Sequence, residues 1–166
     1  KVELPEEHEF RIHPGVARVT EFDWNTTYTD KSYVRAQLVS EHQLDAGMPS
    51  PEIFPVRLEQ NGKFYSVALF TEQPDAAFLR RHGLDDQGSL YKGGPGSNAE
   101  SDASFEKKTR DWEDKSDLKA FLKGLSLKGT ALENFVFDNI DLPAQINYMA
   151  TVAVVQNIDG SDKNFF

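Results

Sequence analysis

The sequence contains no cysteine, which excludes disulfide bonds, zinc sites built on thiolates and thiol nucleophiles. It also lacks any apolar run near the ~20 residues that a helix needs to span a bilayer. Basic residues are in the minority, since 18 lysines and arginines against 27 acidic residues give a formal charge of -9. This charge argues against a non-specific nucleic-acid binder, which requires a basic surface.

The remaining composition is that of a globular protein. Hydrophobic residues make up 39% of the chain and charged residues 27%, and the mean hydropathy is -0.55. A length of 166 residues suits one domain with a sizeable core. The chain opens at Lys1 without a signal-peptide pattern, and we expect it to be processed or part of something longer.

The strongest local signal is a β-hairpin. Apolar and polar residues alternate over residues 54–59, Asn61 and Gly62 provide a two-residue turn, and residues 63–71 return as a second strand. Asn-Gly between two β-rich runs is the strongest short-range hairpin signal that a sequence offers.

The other predicted elements place strands first and helices later. Hydrophobic spacing and turn residues predict strands over 16–24 and 89–92, and a surface loop over 98–115 anchored by Phe105 and Trp112. They also predict a helix from Asp30 to a stop at Gly47 and a helix over 75–82 with Phe78 and Leu79 buried. Three further helices are predicted over 117–125, 130–137 and 142–154. The last helix is apolar almost all round, which predicts that it is buried. The order predicts an α+β fold with a β-rich N-terminal half and a helical C-terminal half.

A candidate catalytic pair follows the last helix. Asp159 and Asn164 lie five positions apart, the offset of the protein-kinase motif H-R-D-x-x-x-x-N. Phosphoryl transfer needs a carboxylate for the acceptor hydroxyl proton and an amide oxygen for Mg²⁺. The same offset selects Asp159 over Asp162. Asp and Asn are also ordinary turn residues after a helix, so a solvated turn stays open as an alternative.

The glycine-rich run over 93–97 is a weaker signal. It is not a P-loop, because Lys92 precedes the glycines and the order does not fit G-x-x-x-x-G-K-[ST]. A flexible turn is the better interpretation of the glycines.

Five stretches together resemble one family. They are a D-x-S-x-x-R helix start at 30–35, the Asn-Gly hairpin continuing through 68–73, an FL-x-R segment at 78–81 followed by LYK at 90–92, a YEKKT-like patch at 105–109, and N-x-D-x-x-x-x-N at 157–164. In this order they are similar to the spore coat protein H (CotH) kinase family, the atypical protein kinases of the secretory pathway. Three departures stand out: Ser66 replaces a usual glycine, Phe165 and Phe166 replace common tyrosines, and the chain stops before the family's W-D-x-D segment with the second metal-binding aspartate.

The resemblance implies a fold and an activity. The fold would be an atypical protein-kinase-like domain truncated after the catalytic loop, with an N-lobe-like part over about 1–97 and a C-lobe-like part over about 116–166. The activity would be transfer of the γ-phosphoryl group of ATP, with Mg²⁺, to Ser or Thr hydroxyls of a protein substrate. Neither nucleic acid nor a membrane span is expected, and the location would be extracytoplasmic: secreted, cell-surface or spore coat.

The resemblance also assigns residues. Asp159 would be the catalytic carboxylate, Asn164 would hold Mg²⁺, Lys92 would pair with the nucleotide phosphates, and Glu72 would orient that lysine or contact the metal. The alternatives are an exposed strand-end glutamate for Glu72 and a surface lysine with a buried stem for Lys92. A non-catalytic surface or adhesion module with the same fold is the alternative function.

Overall fold

The structure is a computed structural model that describes residues 1–5, 7–12, 14, 18–98, 100–157 and 165–166. Its strands within this range are β1 (Val2–Glu3), β2 (Phe10–Arg11), β3 (Arg18–Val19), β4 (Glu21–Asn25), β5 (Ile53–Gln60), β6 (Lys63–Glu72), β7 (Tyr91–Gly93) and β8 (Phe105–Lys107). Its helices are α1 (Arg35–Asp45), α2 (Ala76–Arg81), α3 (Ser116–Leu125), α4 (Gly129–Asn139) and α5 (Leu142–Val154). The mixture of helices and antiparallel sheets agrees with the predicted α+β class, and the kinase-like arrangement stays a prediction.

The chain divides into two compact units. The first spans Lys1–Asp86 and the second spans Gln87–Phe166. Three sheets are described: a four-stranded sheet ordered β1-β4-β6-β5, the pair β2-β3, and the pair β7-β8. The first two belong to the first unit and the third to the second unit, so β7 lies with the helical part of the chain.

The predicted hairpin is confirmed as β5 and β6. The strands pair antiparallel from Ile53 opposite Thr71 to Gln60 opposite Lys63, with one irregularity of register at Leu58 and Glu59. Asn61 and Gly62 both have positive φ, 53° and 73°, as a type I′ turn demands.

The core of the first unit lies under the strand pairs. Its buried members are Ile12, Val19, Phe22 and Phe70, with Phe54 packed against them. Phe54 and Phe70 stack with ring centroids 4.7 Å apart. Because residues two apart on a strand share a face, the side chain of Glu72 points to the same face of β6 as the core residue Phe70.

Helix α1 begins at Arg35, five residues later than the start predicted at Asp30. Tyr33 has φ of 58°, a left-handed conformation that a helix cannot include. Asp30 instead organises the turn before the helix, where its carboxylate accepts from the N–H groups of Ser32 and Arg35, each at 3.0 Å. The predicted stop holds, since Gly47 has φ of 77°.

Helix α2 follows the prediction closely. Asp75 is its N-cap, and its Oδ1 accepts from the Phe78 N–H at 2.9 Å. Phe78 and Leu79 are buried as predicted. Gly83, with φ of 67°, ends the turn that follows the helix.

Strand β8 corrects the prediction of a surface loop over 98–115. It pairs antiparallel with β7, with Lys92 opposite Glu106 and Gly93 opposite Phe105. Trp112 is 79% exposed and anchors nothing among the described residues. The loop prediction failed because a three-residue strand is too short to show alternation and its partner is distant in sequence.

Helices α3 and α4 pack together in the second unit. Leu118 and Leu122 of α3 are buried, as their spacing predicts. Gly124 allows the ring of Phe135 to lie directly on α3, because any Cβ there would overlap that ring.

Helix α5 overturns the prediction that it is buried. Its side chains Ile146, Met149 and Val154 are exposed, and its buried residue is the polar Thr151. The N-cap prediction is confirmed, since Asp141 Oδ1 accepts from the Ala144 N–H at 3.1 Å. Apolar composition predicts burial only where other elements provide a surface, and the described elements do not cover this helix. Within the described residues every helix falls short of the length or the apolar character that crossing a membrane requires.

Candidate functional site

Lys92 lies at the centre of β7 and is half-buried. Its ammonium nitrogen lies 5.8 Å from the ring centroid of Phe166, within the range of a cation–π interaction. The glycine-rich turn over 93–97 follows at once. The backbone N–H groups of Gly93 and Gly94 are both bonded, to the carbonyls of Phe165 and Ser104 at 2.8 Å each, so the more exposed part of the turn begins at Pro95.

Gly93 joins β7 to Phe165. The Gly93 N–H donates to the Phe165 carbonyl at 2.8 Å, and the two residues form an antiparallel bridge. A Cβ on Gly93 would lie 2.7 Å from Cε1 of the Phe165 ring and closer still to Cζ. The same ring meets Phe105 edge-on, with centroids 6.1 Å apart. Glycine is therefore required at position 93 for space.

Lys107 lies on the other face of the β7–β8 pair. It stands opposite Tyr91 in the register, and its side chain is 5% exposed. Its ammonium donates to the Asp114 carbonyl at 2.9 Å and lies 3.7 Å from a carboxylate oxygen of Glu113 and 3.8 Å from one of Asp117. These contacts make Lys107 part of the framework of the second unit.

Tyr91 and Asp117 complete this framework. The Tyr91 hydroxyl donates to Asp117 Oδ1 at 2.5 Å, and burial followed by this bond raises the pKa of Tyr91. Burial alone would raise the pKa of Asp117, but hydrogen bonds from Ser89, Tyr91 and the Leu118 N–H outweigh it and lower the pKa to about 2. Asp117 is therefore a stable anion that ties the start of α3 to β7.

Glu72, the last residue of β6, is 1% exposed. Arg81 of α2 holds it with two hydrogen bonds, from Nε to Oε1 at 3.2 Å and from Nη2 to Oε2 at 2.5 Å. The Glu52 N–H donates to the same Oε2 at 2.9 Å. Burial raises the pKa of Glu72 in spite of these bonds. Both carboxylate oxygens are thus occupied inside the first unit.

Arg81 has further partners at the same place. Its Nη2 donates to the Ser50 carbonyl at 2.9 Å, and its Nη1 lies 3.5 Å from a carboxylate oxygen of Glu52. His82 Nε2 lies 3.1 Å from the same Ser50 carbonyl, and burial, followed by the charge of Arg81, lowers the pKa of His82. The cluster fastens α2 to the beginning of β5 and the end of β6.

The remaining two predicted site residues, Asp159 and Asn164, lie outside the described residues. Glu72 belongs to the first unit and Lys92 to the second, so their pairing stays a prediction. Within the part of the chain that the structure describes, no group of three or more His, Asp or Glu side chains is placed to hold a metal ion.

Sequence reasoning gave no role to Arg81, Lys107 or Asp117. A signal for Arg81 existed: Glu72 stands two positions after the core residue Phe70 on the same strand, so a core-facing carboxylate required a cation. Lys107 had no such signal, because its burial depends on the unpredicted strand β8.

A family model described as CotH kinase protein matches residues 1–166, the whole length of the chain. No curated protein matches the chain. The five motif stretches, from 30–35 to 157–164, are spread through the matched range.

Proposed function

The chain belongs to the CotH kinase family, and from this membership we propose that it is an Mg·ATP-dependent protein kinase acting on Ser or Thr hydroxyls. The observation that carries the proposal is the setting of Lys92. It is a half-buried lysine on a short strand, directly before a glycine-rich turn. Unlike Lys107, it forms no ion pair with a carboxylate in the part of the chain that the structure describes.

The bridge between Gly93 and Phe165 supports the same proposal. Gly93 follows Lys92 in the chain, and Phe165 follows Asn164. The two stretches that the family motifs assign to the nucleotide and to the metal are therefore joined, one residue away from each, by a backbone hydrogen bond of 2.8 Å.

The residues act mainly by position and charge. Lys92 would hold oxygen atoms of the nucleotide phosphates through its ammonium N–H groups. Asp159 would accept the proton of the acceptor hydroxyl. The oxygen of that hydroxyl would bond to the γ-phosphorus of ATP, while the bond between this phosphorus and the β–γ bridging oxygen breaks. The products are a phosphorylated Ser or Thr and ADP.

Magnesium fits the donor chemistry of the assigned residues, because carboxylate and amide oxygens are the hard ligands that this ion takes. When bound, it neutralises the charge on the phosphates. Asn164 would be one ligand through its side-chain carbonyl. Glu72 is held by Arg81, and its assignment to the nucleotide site stays a prediction.

The test is Mg²⁺-dependent ATP binding, measured by thermal shift and calorimetry on the chain and on Lys92→Ala. ATP at about 100 times its dissociation constant is expected to stabilise the fold by about 2.7 kcal/mol. Lys92→Ala is expected to lose this stabilisation while its unliganded melting temperature is unchanged. Lys123→Ala, an exposed lysine of α3 in the same unit, is the matched control and is expected to bind normally.

A second variant separates binding from transfer. Asp159→Asn is expected to keep Mg·ATP binding and to slow phosphoryl transfer by about 10²–10⁴-fold, the usual contribution of a general base. Asp162→Asn is its control and keeps its rate. Absence of an Mg²⁺-dependent shift in the unaltered chain would overturn the proposal.

Exposed aromatic side chains favour the second function, a non-catalytic surface or adhesion module. Tyr28, Trp112 and Phe137 are each more than 70% exposed on a chain of formal charge -9, and exposed apolar side chains mark a contact surface where they form a contiguous patch. Such a module needs no nucleotide, so the ATP measurement distinguishes the two functions.

A further inference from the structure

We propose that Phe166 is a positioning residue for Lys92, and that the bridge between Gly93 and Phe165 holds it in place. The proposal rests on the nucleotide-binding role proposed for Lys92. It adds two aromatic residues and a glycine to that site.

The alternation of side chains along a strand places the two phenylalanines. Phe165 is bridged to Gly93, and its ring lies over the position that a Gly93 side chain would occupy. Successive residues of an extended chain point to opposite faces. Phe166 and Lys92, each one residue from the bridge, therefore meet on the opposite face, where the ammonium lies 5.8 Å from the ring centroid.

The contact suits a lysine that must also hold a phosphate. An aromatic ring attracts the ammonium through its face and takes no directed N–H bond. The three N–H donors of Lys92 consequently stay available for phosphate oxygens. Holding the long side chain in place before the ligand arrives lowers the entropy lost on binding. Phe166 is half-exposed, so the ring does not enclose the ammonium.

Position 93 controls this arrangement. The Phe165 ring occupies the space of a Cβ at Gly93 and packs edge-on against Phe105. Any side chain at 93 must displace the ring. Displacement of the Phe165 ring would move the adjacent Phe166 away from Lys92.

The first experiment compares Phe166→Leu and Phe166→Tyr with the unaltered chain. Phe166→Leu is expected to weaken Mg·ATP binding by about threefold, the size of a partly exposed cation–π contact. Phe166→Tyr keeps an aromatic face and is expected to restore the affinity. Adenosine, which carries no phosphate, is expected to compete equally well for all three proteins, because the contact acts through the phosphate-binding lysine.

The second experiment uses the crowding at position 93. Gly93→Ala is expected to weaken Mg·ATP binding by about threefold, as Phe166→Leu does, because it moves the same ring away from Lys92. Gly93→Ala combined with Phe165→Ala removes the ring that the methyl group strikes. The melting temperature of the double variant is expected to exceed the value that adding the two single effects predicts.

The outcomes are separable. If the unaltered chain binds no Mg·ATP, the proposed function fails and this inference fails with it. If the unaltered chain binds Mg·ATP and Phe166→Leu binds it equally well, only the inference is overturned. Equal weakening of ATP and adenosine, or additive melting temperatures at 93 and 165, would also overturn it, because either result would show a general loss of packing.

Discussion

Lys92 and Lys107 lie on neighbouring strands of one small sheet, and each has an aromatic ring within cation–π range, Phe166 at 5.8 Å and Tyr91 at 5.5 Å. Their polar surroundings differ. Lys107 is 5% exposed and is close to a backbone carbonyl and two carboxylates. Lys92 is half-buried, and its ammonium faces the Phe166 ring. A lysine surrounded by anions of its own protein holds the fold together, whereas a lysine with open donors is suited to an external anion.

Glu72 in the first unit belongs with Lys107 in this comparison. It is a buried charge whose partner, Arg81, comes from the same unit. Glu72 and Lys107 both lie in stretches that resemble family motifs, the hairpin end at 68–73 and the YEKKT-like patch at 105–109. Membership of a motif therefore does not by itself separate residues that hold the fold from residues that bind a ligand.

Arg81→Leu is expected to give the largest effect. It leaves the Glu72 carboxylate buried without its cation, and breaking a buried ion pair from one side costs about 3 kcal/mol or more. Chemical denaturation of the variant measures the free energy of unfolding.

The neighbouring arginine provides the control. Arg80 pairs with Asp86 at 2.8 Å, but its side chain is exposed, so Arg80→Leu is expected to cost about 1 kcal/mol or less. Equal costs at positions 80 and 81 would show that the Glu72 contact is not the stabilising interaction described above.

The two lysines give the next largest effect, and they test the comparison directly. Lys107→Met is expected to lower the free energy of unfolding by about 2 kcal/mol, because it removes a charged donor that a backbone carbonyl and two carboxylates face. Lys92→Met is expected to change stability by less than about 0.5 kcal/mol. ATP titration of the folded proteins is expected to show the reverse order, with binding lost in Lys92→Met and kept in Lys107→Met. If the two variants had the same free energy of unfolding and the same ATP affinity, the distinction between the two lysines would be wrong.

The elements that the sequence predicts well are those whose signals are local. The hairpin turn at Asn61 and Gly62, the Asp75 and Asp141 caps, and the apolar stripe of α3 all depend on residues within one or two turns of one another. Each was found close to its predicted position.

The failures depend on distant contacts. Strand β8 depends on its pairing with β7, which is distant in sequence. The exposure of α5 was not predicted, because composition does not tell which surface a helix meets. The site shows the same limit. Family motifs single out Glu72 and Lys92, but the partners that distinguish their surroundings, Arg81 and Phe166, are fixed by tertiary packing.

Acid titration of Asp117 is expected to give the smallest effect and to separate the framework from the ligand site. Hydrogen bonds lower the pKa of Asp117 from 3.8 to about 2 in the folded chain. A carboxyl with a lowered folded pKa contributes stability above its unfolded pKa, and this contribution is lost as the pH falls from about 4 towards about 2. Because the side chain is 45% exposed, solvent screening limits the loss to about 1 kcal/mol or less. Denaturation curves across this range are expected to show a smaller loss in Asp117→Asn than in the unaltered chain, where the pKa values of Asp30 and Asp114 are also lowered by hydrogen bonds. Tyr91→Phe removes one of the hydrogen bonds and is expected to move the transition to higher pH, whereas Lys92→Met leaves it in place. A transition that Tyr91→Phe does not move would show that the hydroxyl contact does not hold Asp117 ionised.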